Sequence, residues 1–300
     1  MASTLDIRRN VVLKPYTTMK CGGPAMFFAE PDSADSVGEA FGFAAREGLP
    51  VLVLGAGSNV LISDKGYEGL VIRIGRGMSA IRTSISDGIG IIECQAGATL
   101  ASFGAACLNE GLEGAEFCCG IPGAVGGAVY MNAGAYGRQM DDIVTGVAYW
   151  KDGDIRTMSR EDLGFGYRTS VFGSMKDTVI LGMTAEVPVG DKDKIKAYVE
   201  ELREKRVNSQ PLNLPSAGST FKRPEGYYAG RLIEDSGLKG FALDDSGAMV
   251  SAKHAGFVVN SNGEAKASDI YRLICYIQQK VYDDSGVRLE CEVRLIGDFS

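Results

Sequence analysis

Residues 117–137, FCCGIPGAVGGAVYMNAGAYG, run for 21 positions without a charged side chain. That length would cross a bilayer, but six of the positions are glycine, one is proline and one is asparagine. Glycine weakens a helix by about 1 kcal/mol per residue and proline by about 3 kcal/mol. The run therefore does not read as a lipid-facing helix. It reads as a loop-rich binding segment, whose missing side chains bring backbone N–H groups close to a ligand. Any fold for this chain has to give such a segment a rigid frame.

The rest of the composition can supply one. With 300 residues, 45% hydrophobic and 23% charged, the chain can bury a large core and is long enough for two domains. A net charge of −7 argues against nucleic acid as partner, because nucleic-acid binders carry basic patches. Small anionic ligands held by a few local cations remain compatible with it. The seven cysteines are odd in number and include no CxxC pair, so neither a zinc site nor a disulfide framework is expected. The opening MASTLDIRRNVVLKPYT has no apolar run followed by a cleavage site. The expectation is a cytoplasmic, monomeric protein that binds small molecules, with no metal and no membrane partner.

Periodicity divides the chain into mixed helices and strands. Residues 32–50 predict a helix capped by Asp32 or Ser33, and 51–55 and 70–75 predict short buried strands. Hairpins are predicted at Asp87-Gly88 and Asp152-Gly153, with a helix over 99–110 between them. Residues 191–211 predict an amphipathic helix with Ile195, Tyr198, Val199 and Leu202 on one face. A domain boundary is expected near 208, giving domains 1–208 (core about 17–188) and 209–300. Beyond it come a helix from Ala229, two strands within 248–260, a long helix over 266–284 and a last strand over 287–295. This pattern predicts α+β domains rather than a purely parallel sheet.

Two segments invite a phosphate-bearing ligand. GAGSNVL (55–61) follows a strand, but Val60 stands where a dinucleotide fingerprint needs its third glycine, and no Gly-Lys-Ser/Thr follows. A tight turn and a phosphate loop both remain open for it. The second segment places Gly120, Gly123, Gly126, Gly127, Gly134 and Gly137 within 18 residues. Tyr130, Asn132 and Tyr136 lie among them and can line a ligand or simply pack.

PSAGSTFKRP (215–224) sets Ser219 among small residues with Lys222 and Arg223 close behind. A nucleophilic serine needs a neighbouring base, and His254 is the one histidine in the sequence. The hydroxyl therefore needs a different task. In VRLECEVRL (287–295), Val287, Leu289, Cys291, Val293 and Leu295 alternate with Arg288, Glu290, Glu292 and Arg294. Alternation alone does not choose between Glu290 and Glu292.

The order of motifs adds a resemblance. YTTMKCGGPA, VLVLGAGSNVL, GLEGAEFCCGIPGAVGGAVYMNAGAYG, YRTSVF, SAGSTFKRP, AGRLIEDSGLKG and LECEVRLIG, from Tyr16 to Gly297, resemble the UDP-N-acetylenolpyruvoylglucosamine reductase family. The resemblance implies an FAD-binding domain of the vanillyl-alcohol-oxidase (VAO/PCMH) type, with two α+β subdomains, followed by a smaller α+β substrate domain. It implies NADPH as reductant and UDP-N-acetylglucosamine enolpyruvate as substrate, reduced to UDP-N-acetylmuramate for peptidoglycan. FAD contacts are implied at Gly55, Ala56, Gly57, Ser58, Asn59, Val60 and Leu61. Others are implied at Gly120, Ile121, Pro122, Gly123, Gly126, Gly127, Asn132, Ala133 and Gly134. Catalytic roles would fall on Arg168, Ser219 and Glu292, with Ser219 giving a proton after hydride transfer from reduced flavin. Lys253 and Arg223 would bind substrate. Arg223 stands where the longer-looped branch has asparagine, and no tyrosine flap is visible, so the chain is similar to the shorter-looped branch. A flavin oxidase and a non-catalytic nucleotide-binding module are the competing readings.

Overall fold

A computed structural model describes residues 5–300. After β1 (Ile7–Val12) and β2 (Pro24–Ala29), Ser33 caps α1 (Ala34–Glu47) by accepting from the Ser36 amide, and Gly48 ends it at φ 65°. Strands β3 (Val51–Leu54), β4 (Val60–Ile62) and β5 (Tyr67–Arg73) follow. The hairpin of β6 (Ile81–Ser86) and β7 (Ile89–Gln95) turns on Asp87 and Gly88 at φ 52° and 78°. Both central residues are left-handed, the geometry that matches strand twist and favours Asp-Gly. Thr99 caps α2 (Leu100–Glu110), and Gly111 closes it.

The glycine stretch departs from the sequence reading. It is not loop throughout: α3 (Val125–Met131) sits in its middle, followed by the small hairpin β8 (Gly134–Ala135) and β9 (Arg138–Gln139). Then come β10 (Val144–Lys151), β11 (Asp154–Ser159), β12 (Thr178–Pro188) and α4 (Lys192–Ser209). Ile195 and Leu202 on α4 are buried, whereas Tyr198, expected on the same face, is exposed. The remainder holds α5 (Ala229–Asp235), β13 (Ala248–Val250), β14 (Val258–Asn260), α6 (Ala267–Ser285) and β15 (Arg294–Ile296). The last strand is thus three residues long, and Leu295, expected on the buried face, is exposed. Its partner β4 also has three residues, and the preceding residues 290–292 bond instead to 220–222 through an isolated antiparallel bridge.

Two compact units result. The first takes residues up to Arg8, 27–56 and 69–205; the second takes 9–26, 57–68 and 206–300. In the first, a five-stranded sheet of order β11-β10-β12-β7-β6 carries α3 against β12 and β7. Phe103, Ile92, Leu100, Leu112 and Met140 are fully or nearly fully buried in its core. In the second, α6 presents Ile270, Leu273, Ile274, Ile277 and Val281 at helical spacing to a separate core with Leu61 and Val293. Burying each such side chain contributes about 1.5–3 kcal/mol. The start of α6 is capped from far away in sequence: Asp64 accepts from the Ala267 and Ser268 amides, both at 2.9 Å. Parallel pairing of β4 with β15 fixes the same stretch.

Candidate functional site

In the first unit, helix α3 is docked through its own first amides. Val125 N–H donates to Ala98 O and Gly126 N–H to Ala96 O, each at 2.9 Å. A Cβ on Gly126 would lie 2.9 Å from the Ala96 Cβ, so this glycine lets the helix seat on its neighbour. These two amides serve the fold rather than a ligand, which corrects the expectation of a loop with its N–H groups turned outward. Gly127, one residue on, faces open space. A Cβ on Gly55 would lie 3.5 Å from Ala124 Cβ, so Gly55 and the 120–137 segment meet here.

Asn132 ends α3 in the left-handed region at φ 44° and is fully buried. Its Nδ2 donates to Gly166 O and its Oδ1 accepts from Asp141 N–H, both at 3.0 Å. Ser170 Oγ donates to Tyr130 O at 2.8 Å. Between these anchors lies Arg168, at φ 55°, with Nη2 donating to Gly134 O at 3.2 Å and Cζ 5.4 Å above the Tyr167 ring. A left-handed backbone costs a non-glycine residue on the order of 1–3 kcal/mol and persists only where its surroundings over-determine it. The Asn132 and Ser170 bonds do so. Neither role was visible in the sequence; a helix over 125–131 would have marked Asn132 as its left-handed end.

The second unit brings Ser219 and Glu292 onto paired segments. Thr220 O accepts from Glu292 N–H at 2.9 Å, Phe221 bridges Cys291, and Lys222 N–H donates to Glu290 O at 2.8 Å. On the other side Thr220 N–H donates to Gly256 O at 2.9 Å, and its buried Oγ1 accepts from Val258 N–H at 3.0 Å. Gly218 turns the chain at φ 75° with open space where a side chain would be. Ser219 is exposed, and its hydroxyl has no hydrogen-bond partner among the described residues. Glu290 is ion-paired to Lys222, and the Glu292 main-chain carbonyl accepts from Asn59 Nδ2 at 3.1 Å.

Asn59 therefore lies beside Glu292, and its own carbonyl accepts from Arg294 N–H at 3.0 Å. Gly57 is held at φ 64°, where a Cβ would fall 2.1 Å from Tyr16 O, so only glycine fits. Leu61 faces the second core and Val60 pairs with Arg294, which leaves both in the framework of that loop. Lys253 Nζ donates to Val207 O. Arg223 Nε donates to Tyr227 O at 3.3 Å, with Cζ 4.0 Å over the Tyr228 ring. Arg231 pairs with Asp235. His254 Nδ1 accepts from Gly256 N–H at 3.1 Å, and burial pushes its imidazole below the ordinary value, so it serves a turn as a neutral group. Burial pushes the Cys94 and Cys107 thiols up to about 12, and Cys118 is raised as well, which leaves them as inert apolar packing. Among the described residues, no helix is long and apolar enough to cross a membrane.

Comparison with known proteins adds to this geometry. Residues 25–159 match the FAD binding domain, and residues 210–296 match the C-terminal domain of UDP-N-acetylenolpyruvoylglucosamine reductase. A UDP-N-acetylenolpyruvoylglucosamine reductase from Agathobacter rectalis is 45% identical over 304 residues, covering 98% of this chain and 95% of the relative. One from Caldanaerobacter subterraneus is 42% identical over 290 residues, covering 96% and 93%. The crystal structure of the Thermus caldophilus enzyme of that name superposes with a TM-score of 0.82 at 32% identity, covering 98% of this chain and 100% of that one. With an FAD-binding part, a matching C-terminal part and likeness along nearly its whole length, this α+β chain belongs to the UDP-N-acetylenolpyruvoylglucosamine reductase family of FAD-dependent oxidoreductases.

Proposed function

We propose that the chain reduces UDP-N-acetylglucosamine enolpyruvate to UDP-N-acetylmuramate, a step of peptidoglycan synthesis, with NADPH as reductant and Ser219 as proton donor. The observation that carries this reading is the placement of Ser219: an exposed, unengaged hydroxyl on a segment clamped on both sides by backbone bonds, next to Glu292. We assign cofactor binding to the chain up to residue 208 and substrate binding to 209–300. The open face of Gly127 suits close approach of a flavin dinucleotide to the backbone, on the segment that Gly55 meets at Ala124.

Bound FAD would supply the two-electron chemistry, relaying a hydride from NADPH to the terminal carbon of the enolpyruvyl group. That addition leaves an electron pair on the adjacent carbon, delocalised into the carboxylate. Ser219 Oγ–H then gives its proton to that carbon, and solvent restores the hydroxyl. A hydroxyl is a weak acid near neutral pH, but the enolate-like carbon is a strong base, so placement suffices; positioned proton transfer contributes about 10²–10⁴ in rate. Arg168, permanently cationic and forked, offsets the developing charge, and loss of one such donor raises a barrier by about 3 kcal/mol. Glu292 orients the reacting group. Arg223 and Lys253 hold the anionic groups of the substrate.

Anaerobic rapid mixing tests the reading. NADPH should bleach the flavin, and the UDP-sugar enol ether should restore its colour. Ser219→Ala should keep the bleaching step and slow recolouring by about 10²–10⁴. Equal slowing of both steps would remove the serine from the role of acid.

A further inference from the structure

Arg223 is more than a cation close to Ser219 in sequence. Pro224 O accepts from Tyr227 N–H at 3.1 Å across a turn with Gly226 at φ 75°. The turn returns the chain so that Tyr228 lies under the guanidinium, 4.0 Å from ring centre to Cζ. Tyr228 is fixed in its own right: it is the N-cap of α5, and its carbonyl accepts from Arg231 and Leu232 N–H at 3.0 and 3.1 Å. With Nε also bonded to Tyr227 O at 3.3 Å, the fork of Arg223 is restrained from two directions. Yet Tyr228 is 63% exposed. A tyrosine so accessible adds little as core packing, and its backbone bonds would persist with another side chain in its place.

We propose that Tyr228 is a positioning residue: its ring holds the Arg223 guanidinium ready for the diphosphate of the substrate. This rests on the substrate reading given above. Four residues of extended chain from Ser219 to Arg223 reach at most about 13 Å. The vinyl ether and the diphosphate are carried by the same hexose ring, well within that reach. A freely rotating arginine loses rotamer entropy on gripping a phosphate, whereas a ring-backed fork has lost it beforehand. The π face also attracts the cation that sits over it.

UDP-N-acetylglucosamine, which has the diphosphate but no double bond to reduce, is the probe for calorimetric titration of the FAD-loaded protein. Tyr228→Leu should weaken its binding by about 3- to 30-fold, at unchanged flavin content and melting temperature. In turnover the variant should raise KM for the enol ether by a similar factor with little change in kcat. Tyr228→Phe, which keeps the ring, should bind as the parent does. Arg223→Ala should weaken binding at least as much, and adding Tyr228→Leu to it should do no further harm. Parent-like binding by Tyr228→Leu, a Phe variant as weak as Leu, or losses that simply multiply in the double variant would each overturn the inference. If the parent itself does not bind the probe, the substrate reading falls first, and the inference with it.

Discussion

Arg168 and Ser219 are both held at their flanks, but by different means. The Arg168 loop depends on side chains, Asn132 and Ser170 reaching across to backbone, and on a left-handed backbone at Arg168 itself. The Ser219 segment depends on main-chain bonds to Gly256, Glu290 and Glu292, which any residue could make. Where a permanent charge must sit at a fixed spot, the chain uses specific buried side chains. Where a small hydroxyl must stay unengaged, it uses a ladder that is indifferent to the side chain it displays. Tolerance to mutation should differ accordingly.

The sharpest way to break this contrast is Asn132→Ala. It leaves the Asp141 N–H without its acceptor, at about 1–3 kcal/mol, and removes one of two donors from Gly166 O, which keeps Thr169 N–H at 3.3 Å, at about 0.5–1.5 kcal/mol. Denaturant titration should show a loss of about 1.5–4.5 kcal/mol. A loss below 0.5 kcal/mol would mean the loop carries itself. Next in size is Thr220→Val, which strips the acceptor from the Val258 N–H and should cost about 1–3 kcal/mol. Its neighbour Ser219→Ala should stay within about 0.5 kcal/mol of the parent in the same titration, because the ladder remains. A comparable cost at both positions would erase the distinction between framework and displayed group.

The smallest expected effect is at His254. Its native value is lowered, so its contribution is fully present above about pH 6.5 and is lost as pH falls through the lowered value, where the imidazole takes a proton and Gly256 N–H loses its acceptor. Melting temperatures between pH 8 and pH 5 should decline on the acid side. The decline should be shallower for His254→Leu, and identical slopes would remove His254 from the account.

Local chemistry made part of this fold legible. Asp87-Gly88 and Asp152-Gly153 announce their hairpins because two left-handed residues in a row favour that pair. Ser33 announces α1, and the apolar spacing of Ile270, Leu273, Ile274 and Ile277 announces α6. Helix α3 was hidden because Gly126 and Gly127 lower helix propensity; docking on Ala96 and Ala98 outweighs that penalty. The strand expected over 287–295 is divided between two partners, 220–222 for residues 290–292 and β4 for 294–296, since alternation says which faces a segment could bury and not which segments it pairs with. At the site, motif order pointed to Arg168, Ser219 and Glu292, but nothing local could show Ser219 beside Glu292 or Asn132 holding the Arg168 loop. Those are long-range pairings, and spacing carries no record of them.

One such pairing has a consequence during synthesis. Asp64 and β4 emerge from the ribosome long before the helix and strand they serve, with 203 positions between Asp64 and the amide of Ala267. Until then a short apolar strand, Val60-Leu61-Ile62, has no edge to join, and Asn59 has no neighbour to hold it still. Each nascent copy must shelter that strand while most of the polypeptide is still being made. Lesions in the late-made helix should therefore loosen the early-made loop before β4, and their harm would register far from where they lie.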